Sequence, residues 1–70
     1  MFAEERKQQI LATLQRRPAV RVTDLGLALG VSVASIRRDL ADLQRSGLLK
    51  RTHGGAVSNG LAIAELPLAA

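Results

Sequence analysis

The chain of 70 residues has no cysteine, no tryptophan and no tyrosine, and Phe2 is its one aromatic residue. Without cysteine there are no disulfides and no thiolate metal sites, and nothing asks for an oxidising compartment. With so few rings, a composition that is 47% hydrophobic must build its core from Leu, Ile, Val and Ala, which suits short helices packed closely. The chain also lacks an apolar run of the roughly 18 residues that a membrane span needs, and the start "MFAEERKQQ" is too charged for a secretory signal. A soluble, cytoplasmic protein with no membrane partner is expected. This length allows one small domain and leaves no room for a second core of any size.

Residues for chemistry are scarce as well. His53 is the single histidine and stands beside a glycine turn with no partner in view, so it reads as a polar turn residue rather than a catalyst or metal ligand. Gly54-Gly55 is followed by no Lys-Ser or Lys-Thr and by no helix, which argues against a phosphate loop. Asp24, Asp39 and Asp42 lie among arginines without a nucleophile and its base. No catalytic, cofactor or metal site is expected, and the chain does not read as an enzyme. What it has is positive charge: ten Lys and Arg against six Asp and Glu, a net +4. That balance favours a polyanionic partner, although it is equally ordinary for solubility.

The periodicity predicts helices. From Glu4 to Arg17, Ile10, Leu11 and Leu14 recur at helical spacing, with Glu4 and Glu5 at the start and Arg16 and Arg17 at the end to suit the dipole. Pro18 ends this first helix. "VRV" at 20–22 suits a very short strand with Val20 and Val22 on one side. Thr23 followed by Asp24 starts a second helix of about two turns, striped by Leu25, Ala28 and Leu29 and stopped by Gly30. Gly26 inside it is read as a site of close approach by a neighbouring helix. Ser32 caps a third helix, about 33–46, whose inner face carries Ile36, Leu40 and Leu43 before Gly47 stops it. "LLKRTH" at 48–53 and "AV" at 56–57 then form two strands joined by a Gly54-Gly55 turn. Residues 59–70 mix turn formers with small apolar residues and read as a linker.

With Ile36 pointing inward, a helical wheel turns Ala34, Ser35, Arg38, Asp42 and Arg45 outward and puts Arg37 on the shoulder. The first turn of this helix shows small side chains, free N–H groups and the positive end of the dipole, which together receive anions. Small residues let a helix sit deep in a DNA major groove about 12 Å wide, where Arg reaches guanine O6 and N7. The plainer alternative is a solvated face on which Arg38 and Asp42 pair at i, i+4. The short preceding helix and the basic segment Lys50, Arg51 and His53 favour the DNA reading, because they place cations where a helix-turn-helix meets the backbone.

At "SIRRDL", preceded by "LALGVS" and followed by "LLKRTHGGAV", the chain resembles the N-terminal DNA-binding domain of DeoR-family bacterial transcriptional regulators. The resemblance runs from about "ERKQQIL" to Ser58. It departs at Ser35, where the family usually has Thr, and at Pro18, where Gly is common. It implies a mainly α fold with a small β-hairpin, a winged helix-turn-helix over 3–58 with the helix-turn-helix at about 20–39. The implied function is sequence-specific binding to double-stranded operator DNA by a repressor of sugar or nucleoside metabolism genes. A protein or RNA interaction module is the alternative, and RNA readers usually expose aromatics that this chain lacks. The residues expected at the DNA are Thr23, Ser32, Ala34, Ser35, Arg37, Arg38, Lys50, Arg51 and His53. The resemblance further implies that 59–70 leads to an absent C-terminal domain that senses a phosphorylated sugar or related metabolite and makes a homo-oligomer.

Overall fold

The computed structural model describes residues 2–58, so the linker expected at 59–70 lies outside the described residues. Helix α1 runs Ala3–Arg16; the Glu5 carboxylate accepts a hydrogen bond from the Phe2 N–H at 3.0 Å, satisfying one donor at its start. Arg17 leaves it extended, as a residue before proline must, and β1 follows at Ala19–Arg21. Helix α2 is Val22–Leu29, and Gly30 ends it with φ 69°, a left-handed value that favours glycine. Helix α3, Val33–Arg45, opens on Ser32, whose Oγ accepts from the Ser35 N–H at 3.1 Å. Strands β2, Leu49–Thr52, and β3, Gly55–Ser58, complete the described chain.

The hydrophobic stripes converge on one core. Ile10 and Leu14 of α1, Val22 and Leu25 of α2, Ile36, Leu40 and Leu43 of α3, and Leu49 and Ala56 of the sheet are all buried. At about 25 cal/mol per Å² of apolar surface removed from water, burial of these aliphatic side chains holds the three helices on the sheet. The result is mainly helical with a small sheet, the winged helix-turn-helix expected.

Five local readings are corrected. Val22 is not a strand residue: its side chain is buried, but it is the first residue of α2, and Arg21 rather than Thr23 holds the cap position, with no side-chain hydrogen bond. The hairpin is part of a three-stranded antiparallel sheet in the order β1-β3-β2, with Ala19, Val20 and Arg21 opposite Val57, Ala56 and Gly55. Its turn is His53-Gly54 rather than Gly54-Gly55, because Thr52 pairs with Gly55. Gly54 takes the positive φ, 86°, while Gly55 belongs to the ladder. A Cβ on Gly55 would fall inside the envelope of the Val20 carbonyl oxygen, so Gly55 is there for space and not for conformation. At Gly26, finally, a Cβ would meet the Val31 carbonyl oxygen at 3.0 Å; what comes close is chiefly the turn between α2 and α3, with the Val33 side chain farther off at 3.9 Å.

Candidate nucleic-acid interface

Helix α3 carries two acids and three arginines, and its packing sorts them. Asp39 is buried against α1, where Arg6 donates to it through Nε at 2.5 Å and Nη2 at 3.1 Å. Asp42 is ion-paired with Lys7 Nζ at 3.2 Å and is also paired with Arg45. The Arg38–Asp42 pair weighed for a solvated face does not form; the carboxylate pairs with Lys7 of α1 and with Arg45 of its own helix instead. Hydrogen bonding to Asp39, then its charge, raise the Arg6 pKa above the ordinary value against the opposing effect of burial. Arg37 and Arg38 are exposed and make no ion pair among the described residues. The outward face of α3 is therefore purely cationic over its first half.

The start of α3 is equally open. Ala34 and Ser32 are exposed and Ser35 is partly so, and the first turn contains no acid. Ser32 Oγ takes the Ser35 N–H and donates to Ser35 Oγ at 3.1 Å. The N–H groups of Val33 and Ala34, which a helix cannot satisfy internally, point out of this end with the positive dipole. Thr23 is exposed in the first turn of α2, and with Gly26, Leu27, Val31, Ser32 and Val33 it lines a shallow groove between the two helices.

Lys50, Arg51 and His53 are all exposed on the β2-β3 hairpin, the wing of this fold, but the sheet separates them. Successive strand residues project to opposite faces. Arg51 shares a face with buried Leu49, toward the helices, and its N–H donates to Gln44 Oε1 of α3 at 2.6 Å. Lys50 is on the far face, and His53 sits in the turn. Sequence reasoning missed Arg6 and Lys7, whose roles depend on partners far along the chain, and Arg21, an exposed strand cation beside the wing turn. The Val-Arg-Val alternation had already set Arg21 outside; its nearness to the wing was not visible locally.

Among the described residues no group of three or more His, Cys, Asp or Glu side chains is placed to hold a metal ion, and no helix is long and apolar enough to cross a membrane.

Comparison with known proteins agrees with this architecture. The family model of the DeoR-like helix-turn-helix domain matches residues 6–61. The HTH-type transcriptional regulator GolR of Listeria innocua is 42% identical over 57 residues, 81% of this chain and 22% of that protein. The lactose phosphotransferase system repressor of Streptococcus mutans is 43% identical over 61 residues, 87% of this chain and 24% of the repressor. A putative aga operon transcriptional repressor of Escherichia coli is 43% identical over 53 residues, 76% and 20% of the two chains. This chain thus spans between a fifth and a quarter of the length of these relatives. No solved structure matches it at a significant level.

Proposed function

We propose that this chain, which belongs to the DeoR-like helix-turn-helix family and is the DNA-binding domain of a transcriptional regulator, reads an operator with α3 in the major groove. The observation that carries the reading is the sorting of charge around α3. Asp39 pairs with Arg6 of α1 and Asp42 with Lys7 of α1 and with Arg45, while Arg37 and Arg38 stay exposed with no carboxylate paired to them among the described residues. Ser32, Ala34 and Ser35 at the start of the helix are small enough to let it sit deep, and Thr23 lines a groove together with Ser32. Arg38 takes a base edge; Lys50, Arg51 and His53 meet phosphate or the minor groove.

The whole regulator is a repressor of sugar or nucleoside metabolism genes, working in the cytoplasm by binding rather than by turnover. Relatives named as repressors of the lactose phosphotransferase system and, putatively, of the aga operon support this reading. Residues 3–58 are the binding unit, and 59–70 lead to a domain that senses a phosphorylated sugar or related metabolite and brings two or more copies together. Two readers then occupy half-sites about 34–36 Å apart or a multiple of that.

A salt series of binding to a randomised duplex pool, with Arg38→Ala as control, tests the proposal. An enriched motif that the variant loses, with a cost of about 1–3 kcal/mol at one position, supports base reading by α3. Equal losses by Arg38→Ala on retained and random sequences overturn that role, and no binding at low salt moves the weight to a protein-contact module.

A further inference from the structure

By sequence Arg21 belongs to the helix-turn-helix, and by structure it belongs to the wing. It is paired with Gly55 in the β1-β3 ladder, and the missing side chain there lets the strands close until a Cβ on Gly55 would stand 3.1 Å from Arg21 Cα. The next residue, Val22, donates its N–H to the Gly54 carbonyl oxygen at 2.9 Å. The backbone at Arg21 is thereby held against β3 and, one residue on, fastened to the His53-Gly54 turn.

The ladder also gives the direction of that side chain. Directly opposed residues of antiparallel strands project from the same face. Val20, Ala56 and Arg51 form one row, and burial of Ala56 turns that face toward the helices. Arg21, Gly55 and Thr52 form the neighbouring row on the opposite, outward face. Between Arg21 and Thr52 there is only the Gly55 backbone. No residue of the sheet or its turn carries a carboxylate, and Arg21, although exposed, makes no ion pair among the described residues, Asp24 in the first turn of α2 included.

An exposed guanidinium of this kind, rooted on a fixed backbone and left uncompensated, suits a phosphodiester, whose oxygens match its forked donors. Its position, directly before α2 and beside the wing turn, joins the two elements that the duplex-binding reading places at the DNA. We propose that Arg21 is a further phosphate-binding residue of this domain, acting with the wing turn to hold the DNA backbone without reading bases; the proposal rests on the duplex-binding reading above.

The test compares the 70-residue chain with its Arg21→Ala, Arg21→Lys and Arg16→Ala variants on a random-sequence duplex and on the sequences retained from the randomised pool, across a salt series. Arg16 is an exposed cation at the end of α1, at the opposite end of β1 from the wing turn. Arg21→Ala is expected to lower the salt slope by about 0.9 and the affinity by about eightfold at 0.1 M salt, equally on both DNAs, which is the counterion-release effect of one phosphate contact. Arg21→Lys retains most of the slope, Arg16→Ala leaves it unchanged, and thermal melting of all three matches the parent. An unchanged slope in Arg21→Ala, a loss confined to the retained sequences, or the same loss in Arg16→Ala overturns the proposal while leaving the duplex-binding reading intact. A parent chain that ignores duplex DNA overturns both.

Discussion

Arg6 and Asp39, 33 positions apart, are joined by two hydrogen bonds that fix the rotation of α3 about its own axis against α1. The Asp39 side chain is only 3% exposed, so removing its partner strands a carboxylate in the interior. Arg6→Ala is expected to destabilise the domain more than the double variant Arg6→Met with Asp39→Leu, which removes both charges and restores apolar packing. Urea midpoints of the two variants decide the order. The raised Arg6 pKa adds stability that is complete at all lower pH and is lost only as pH rises through that strongly alkaline value, so this guanidinium contributes no change in stability between pH 5 and 9.

Ser32 serves the fold through its Oγ and, in the reading above, the DNA through its position. Ser32→Ala loses the cap, at about 1 kcal/mol, which for a domain of this size lowers Tm by roughly 4–8 °C. Ser32→Asp keeps a capping oxygen and the melting temperature but sets a negative charge where phosphate is expected. Melting and duplex binding therefore separate: the first variant loses stability, the second loses binding.

The glycines of the wing differ in what they tolerate. Gly55→Ala forces β1 and β3 apart, because the new methyl collides with backbone at Val20, and is expected to cost about 1–3 kcal/mol. Around Gly54 there is open space, but its φ of 86° penalises any side chain by roughly 1–2 kcal/mol, less for Asn. Gly54→Asn is thus the mild change and Gly55→Asn the severe one in denaturant titrations.

Leucines divide in the same way. Leu40 is 1% exposed between the helices, and Leu40→Ala is expected to cost about 2–5 kcal/mol, enough to unfold much of a small domain. Leu27 is 84% exposed on α2, and Leu27→Ala is expected to fall within about 0.5 kcal/mol of the parent by calorimetry.

The helices were legible because their signals are local. Ile36, Leu40 and Leu43 repeat on one face, Ser32 caps, and Gly30 and Gly47 take the left-handed conformations that end helices. What depended on distant partners was not legible. A ladder between β1 and β3 is decided by contacts across more than thirty residues, so the strand beside Arg21 read as isolated and the turn slipped by one position. For the acids of α3, spacing shows only i, i+4 neighbours such as Arg38 and Asp42 and says nothing of Arg6 or Lys7 on another helix. The small side chains and arginines of the candidate interface were visible in the sequence; the direction that separates Lys50 from Arg51 came only with the sheet register.

The hydrogen bond from Val22 to Gly54 has a thermodynamic consequence for recognition. It ties the beginning of the helix-turn-helix to the wing, so the two parts that would touch a duplex are already immobilised relative to one another before any ligand arrives. The ordering entropy of that arrangement is charged to folding, and association has chiefly side-chain rotamers left to fix.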